Sequence, residues 1–161
     1  MKGTSENNLS YAPQDIFNHI LKFAVIPTFD IIINIKDLGV IIVKRKIAPY
    51  KNFWALPGLR MMKNEIIENT LKRIGKEELG IKIDPTIKHF IGQYVGRFKT
   101  ENNRQDLSTC YAINCELLRL NINSAHFSGH RFIESKNQIP NNTGAMYRYY
   151  LNMYFNNNSI T

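Results

Sequence analysis

Glu77 and Glu78 stand side by side near the end of the stretch FWALPGLRMMKNEIIENTLKRIGKEELGI, residues 53–81, in a chain whose net charge is +8. Adjacent carboxylates repel each other, so a surface helix gains nothing from the pair unless something positive lies between them and a third group. A divalent cation meets that need. Upstream, the Pro57–Gly58 turn brings a backbone carbonyl to the mouth of the following helix, and Glu65 sits in its first turn. Arg73 and Glu77 lie one helical turn apart on the same face, and Glu78 points about 100° further round. A carbonyl oxygen and one or two carboxylates, completed by water and phosphate, form an oxygen-rich donor set of the kind that suits Mg²⁺ or Mn²⁺. An ion held there would neutralise a pyrophosphate and stabilise charge developing on a leaving phosphate.

The elements that must position these residues follow from the hydrophobic pattern. Pro13 to Lys22 carries Ile16, Phe17, Ile20 and Leu21 at helical spacing. AVIPTFDIIINI (24–35) reads as a mostly apolar strand with one carboxylate, Asp30, in its middle. Such a group is costly to bury unless it is paired or functional. KDLG is a turn and VIIVKRK (40–46) the returning strand of a hairpin. FWALPG is a short strand, and 64–79 reads as a helix with Asn64 as N-cap, Ile66, Ile67, Leu71, Ile74 and Leu79 as its apolar stripe and Gly80 as its stop. IKHFIGQYVGRFKT and LSTCYAINCELL read as strands around a polar loop, ENNRQD. HRFIES reads as a last strand and NTGAMYRYYLNMYF as a closing helix. The expectation is a single α+β domain over 11–155, with a mixed β-sheet between helices, a loose N-terminus at 1–10 and a loose tail at 156–161.

Composition narrows the function class. Of 161 residues, 43% are hydrophobic and 11% aromatic, which excludes wholesale disorder. Two cysteines, Cys110 and Cys115, are too few for a disulfide scaffold and lack a zinc-like partner pair. No apolar stretch follows the N-terminal lysine, and the run FDIIINI is too short to span a bilayer, so a soluble, cytoplasmic protein is expected. The 21 basic residues against 13 acidic ones are scattered, not massed in a tract. That surplus favours an anionic ligand without choosing which.

The segment with Glu65, Arg73, Glu77, Glu78, Gly80 and Ile81 resembles the Nudix box. That pattern runs Gly, five residues, Glu, seven residues, Arg-Glu-aliphatic-x-Glu-Glu-x-Gly-aliphatic. Three positions depart from it: Leu59 replaces the opening glycine, Ile74 the glutamate after the arginine, and Gly75 the next aliphatic residue. The resemblance implies a Nudix-type α/β/α sandwich. In MutT-like members the glutamate missing at Ile74 helps bind metal or acts as the base. One branch that lacks it is GDP-mannose mannosyl hydrolase, which QDIF, FDIII, VKR, FWALPGLR and CYAI also resemble in order.

In that branch water attacks the anomeric carbon of the sugar and releases GDP and mannose with inverted configuration. The resemblance implies Mg²⁺ (or Mn²⁺) held by the Gly58 carbonyl and Glu78, with Glu77 a further candidate. It implies Arg45, Arg60 and Tyr111 as contacts to the diphosphate and sugar, with Asp30 near the sugar. Guanidinium groups clamp phosphate oxygens, and a tyrosine hydroxyl can donate to the leaving group. Arg73 would orient the acidic cluster. The branch carries a Gln-His pair before its last strand, where SAHFSGHRF places His126 and Phe127. His126 is then a metal ligand or, one residue out of register, the base, with His130 as a fallback. A homodimer built through the N-terminal elements is also implied. Beside the nucleotide-sugar hydrolase stand two other readings: a Nudix pyrophosphatase cleaving P–O bonds, and a Nudix-fold module that binds a nucleotide or RNA without catalysis. Nucleic acid is a possible but not a favoured partner.

Overall fold

The computed structural model describes residues 11–116 and 119–158. The segment expected to be loose at 1–10 lies outside these residues. At its centre is β1 (Ile26–Ile35), buried at nearly every position, as its continuous apolar run requires of a strand covered on both faces. It pairs in parallel along its length with β6 (Arg104–Cys115), from Ile26↔Asp106 to Ile35↔Cys115. β5 (His89–Phe98) lies antiparallel on the far side of β6.

The other edge of β1 is divided. Its C-terminal end starts a hairpin with β2 (Gly39–Arg45), at Asn34↔Val40 and Ile35↔Gly39. Its N-terminal half pairs instead with β4 (Gly58–Arg60), at Thr28↔Arg60, Phe29↔Leu59 and Asp30↔Gly58. β2 goes on to pair with β3 (Trp54–Ala55) on one side and β7 (Phe127–Ile133) on the other. β1 and β2 therefore diverge beyond the hairpin, and residues 54–60 bridge the wedge between them. Ile31 N–H donates to the Pro57 carbonyl (2.9 Å) where the bridge crosses. The result is the expected mixed sheet with helices, an α+β fold.

α1 (Gln14–Phe23) begins one residue after Pro13. α2 (Ile67–Ile74) starts later than the sequence suggested. Asn64 is at φ 70, a left-handed conformation incompatible with the N-cap role, and Ile66 occupies that place in extended backbone. The last turn, Gly75–Leu79, widens from α to π geometry and ends at Gly80 in the left-handed region (φ 66). A side chain at Gly80 would come within 2.7 Å of Asn121 Cβ, so glycine is required there for space as well as for backbone conformation. α3 (Ala145–Asn158) runs three residues into the stretch read as a loose tail. It lies on the sheet face that carries Ser108, to which Tyr150 Oη donates (2.8 Å). The last strand also starts earlier than expected, at Phe127, which is buried in the core.

One ion pair fixes the approach to α2. Arg73 grips Glu65 with two nitrogens, Nε–Oε1 2.7 Å and Nη2–Oε2 2.9 Å. The same Nη2 donates to the Arg60 carbonyl (2.8 Å). Met62 N–H and Thr70 Oγ1 complete the shell of Glu65 Oε2. The side chains are 10% and 3% exposed. Burial alone would raise the Glu65 carboxyl, but the hydrogen bonds from Arg73, Met62 and Thr70 outweigh it and hold the group below its ordinary value. Arg73→Ala would strand that carboxylate, so urea unfolding should show a loss of about 3–5 kcal/mol. Arg73→Lys, which keeps charge without the two-pronged grip, should fall in between.

Candidate functional site

The mouth of the wedge opens into a cavity of about 490 Å³. β1 contributes Thr28 and Asp30, β2 contributes Arg45, β4 contributes Gly58 and Arg60, and the π turn contributes Glu77 and Glu78. His126 closes one side. The structure thus brings together Asp30, Arg45, Gly58, Arg60, Glu77, Glu78 and His126, all of them singled out by sequence.

The two glutamates differ. Glu78 is turned inward, 1% exposed, while the Glu77 side chain remains 44% exposed with Oε2 3.6 Å from Arg73 Nη1. Burial raises the Glu78 carboxyl, and its hydrogen bond to His126 and the nearby Arg45 oppose that rise without cancelling it. His126 reaches Glu78 because the loop before β7 is stitched to the end of the box helix. Asn121 N–H donates to the Leu79 carbonyl (2.8 Å) and Asn123 N–H to the Glu78 carbonyl (2.9 Å). On the other side, Lys46 N–H holds the His126 carbonyl (2.7 Å). His126 Nδ1 then stands 2.6 Å from Glu78 Oε1.

Gly58 pairs directly with Asp30, and a side chain there would collide with Asp30 Oδ1 and approach the Phe29 carbonyl to 2.8 Å. Arg45 is 9% exposed and largely engaged with its own loop. Its Nε bonds to the Pro49 carbonyl (2.6 Å) and the Ile47 carbonyl (3.3 Å), and Nη2 to that of Ala48 (3.2 Å). The Arg60 guanidinium lies 3.9 Å from the Phe17 ring and 4.8 Å from that of Tyr11. Burial lowers its affinity for its proton, against the pull of Tyr11 and with reinforcement from Arg104 and Arg73. A cation so placed gains from an arriving anion.

Two expected residues stand apart. Arg73 acts from behind the wall through Glu65 and the Arg60 carbonyl, without lining the cavity. Tyr111 is outside it as well: it is odd-numbered on β6, opposite in face to Asp106 and Ser108. Its ring packs on Phe29 (6.4 Å) and Phe90 (5.8 Å). Phe127 is core, and His130 is exposed on β7.

Sequence reading missed Thr28, Arg104 and Asp106. The polar run ENNRQD reads as a loop, whereas Arg104–Asp106 begin β6 and pair with residues 96–98 of β5. Gln105 between Arg104 and Asp106 hides any alternation there, and Leu107 between Asp106 and Ser108 was the one signal of a strand. Arg104 Nε binds Asp106 Oδ1 (2.6 Å), and Ser108 Oγ donates to Asp30 Oδ2 (2.6 Å). The apolar remainder of the lining includes Ile47, Pro49, Phe98, Met146 and Tyr147.

Among the described residues no group of three or more His, Cys, Asp or Glu side chains stands close enough to enclose a metal alone. Glu77, Glu78 and Gly58 do line one cavity, and two carboxylates with a backbone carbonyl are oxygen donors of the kind an ion such as Mg²⁺ takes. Such an ion keeps waters and takes ligand phosphate oxygens beside one or two carboxylates.

No family model matches the chain. A curated relative, the low-salt glycan biosynthesis protein Agl8 of Haloferax volcanii, is 25% identical over 119 residues, covering 71% of this chain and 74% of the relative. The MutT Nudix hydrolase of Burkholderia pseudomallei superposes with a TM-score of 0.71 at 18% identity, over 81% of this chain and 98% of its own. The Nudix domain of Shewanella oneidensis NrtR, solved with ADP ribose, gives 0.64 at 17% identity, over 99% and 100%. The architecture is the Nudix hydrolase fold. Among the described residues no helix is long and apolar enough to cross a membrane.

Asp30 gives the site a pH signature. It is 4% exposed, and burial pushes its carboxyl from 3.8 up to about 7, with Ser108 and Arg45 opposing and Asp106 adding to the rise. The folded state therefore holds this proton more tightly than the unfolded chain. Stability falls as pH rises from about 4 to about 7, by on the order of 4 kcal/mol, and is level above. Asp30→Asn should remove this component. In chelator, urea titrations should show the variant gaining on the parent across that window and lying above it at pH 8.

Proposed function

We propose that the chain is a Mg²⁺-dependent hydrolase of a nucleotide-sugar, of the GDP-mannose type, releasing a nucleoside diphosphate and the free sugar. The observation that carries this reading is the Glu78–His126 contact, in a helix whose neighbouring box position is Ile74, fully buried in the core. Ile74 cannot take a proton, and the imidazole is the basic group in the cavity nearest the carboxylates. In the tautomer that donates Nδ1–H to Glu78 Oε1, Nε2 is the proton acceptor for an attacking water. Glu78 Oε2, Glu77 and the Gly58 carbonyl would hold the cation, which when bound neutralises the diphosphate leaving group. Arg60 and the remaining nitrogen of Arg45 bind the diphosphate oxygens. Asp30 faces the sugar, and the apolar wall with Phe98 shields the site from water.

The names of the similar proteins lie in the same chemical neighbourhood. ADP ribose, bound to the Shewanella domain, is a nucleoside diphosphate joined to a sugar, and the Haloferax relative is named for glycan biosynthesis. A homodimer through α1 fits its exposed Ile16, Ile20 and Phe23, and light scattering should then give twice the chain mass.

Incubation with GDP-mannose and Mg²⁺, followed by product identification, should yield GDP and free mannose. His126→Ala should lower kcat about 10²-fold or more. GMP with mannose 1-phosphate would mean attack at phosphorus and the pyrophosphatase reading. Binding without turnover across a nucleotide-sugar panel would mean a module that binds without catalysis.

A further inference from the structure

The arginines around the cavity differ in how their donors are engaged. Arg45 gives Nε and Nη2 to three backbone carbonyls, and Arg104 gives Nε to Asp106. Arg73, behind the wall, is held at every nitrogen, by Glu65, the Arg60 carbonyl, the Tyr11 hydroxyl (3.5 Å) and Glu77. Arg60 is the exception. Among the described residues its guanidinium makes no hydrogen bond and no ion pair, and what it touches is the rings of Phe17 and Tyr11. Its five N–H groups therefore stand without acceptors in a residue that lines the cavity.

A partly buried guanidinium acted on by two like charges, Arg104 and Arg73, is costly to keep in place without compensation. Aromatic rings supply it. The ring face attracts the cation and stacks on its flat side, while the N–H groups stay free in the guanidinium plane. Phe17 does this at 3.9 Å and Tyr11 at 4.8 Å, and both belong to the N-terminal segment. Phe17 is half-buried on α1 yet lies outside the hydrophobic core, and the buried residue of that helix is Leu21. The core thus gives no reason for a ring at position 17, and Arg60 does. We propose that Phe17 and Tyr11 are positioning residues that hold the Arg60 guanidinium with its N–H edge open to the cavity, making the start of the chain part of the anion site. The group so presented fits two oxygens of a phosphate. This rests on Arg60 meeting the diphosphate of the ligand, the role given to it above.

The test is calorimetric titration of the full chain with pyrophosphate and with GDP-mannose, Ca²⁺ replacing Mg²⁺. Phe17→Leu and Tyr11→Leu should each weaken both ligands about three- to tenfold. Phe17→Tyr and Tyr11→Phe keep the rings and should bring affinity back to within about twofold of wild type. Arg60→Ala should weaken binding about tenfold or more, and Phe17→Leu added to it should weaken it no further, because the ring acts only through the guanidinium. A general loosening of the fold would instead lower affinity by the same factor in both backgrounds. That result would overturn the proposal, as would unchanged affinity in both leucine variants, or ring-keeping variants as weak as the leucine ones. Ligands that bind with the expected losses but are never hydrolysed would leave the clamp standing and remove the hydrolase. GDP-mannose hydrolysed with the same KM by wild type and both leucine variants would do the reverse. Failure of both ligands to bind wild type would overturn both.

Discussion

The buried guanidinium–carboxylate pair between Arg73 and Glu65 ties together the two chain segments that meet at the cavity. Its geometry leaves little freedom: both carboxylate oxygens are engaged, and one arginine nitrogen also holds the carbonyl of Arg60 at the end of β4. Strand β4 and helix α2 are thereby set at a fixed separation. Arg60 lines the cavity from β4, and Glu77 and Glu78 line it from the π turn that continues α2. A buried ion pair is poor evidence of stability in itself, since apolar packing often serves as well. Its value here is positional. The π turn that follows gives the two adjacent glutamates different environments, one almost out of water and one half in it.

Within the cavity, charge is segregated. Glu78 with His126 forms one cluster, Asp30 with Ser108, Asp106 and Arg104 another. Arg45 acts electrostatically on both Glu78 and Asp30. Its side chain is itself fixed by three backbone carbonyls of residues 47–49, so the charge is preorganised and does not have to be gathered when a ligand arrives. The two clusters give the cavity two ends with different chemistry.

Much of this was legible in the sequence because it is local. The spacing from Glu65 to Gly80, the apolar run of β1 and the Pro57–Gly58 bridge each declare themselves within a few turns of chain. What failed to show was non-local or depended on face. Asn64 has the composition of a cap, but its backbone is left-handed, and the extended residue that precedes α2 is Ile66. Tyr111 has suitable chemistry and the wrong parity on its strand. The partner of His126 is 48 residues away, delivered by backbone hydrogen bonds that no side-chain pattern encodes. Arg104 and Asp106 looked like loop because polar residues facing a cavity break the apolar alternation by which strands are recognised.

The parallel pairing of β1 with β6 carries a consequence for how the chain acquires its shape. Every rung joins residues about 80 positions apart, from Ile26↔Asp106 to Ile35↔Cys115. A nascent chain that has emerged as far as the first hairpin exposes the isoleucine-rich edge of β1 with nothing to cover it. Closure waits for the β5–β6 hairpin, and such high contact order slows folding. The hairpin itself is local and can form alone, so the natural order is hairpin first, then docking onto the waiting edge. Until then that edge is the part of the molecule most open to another chain.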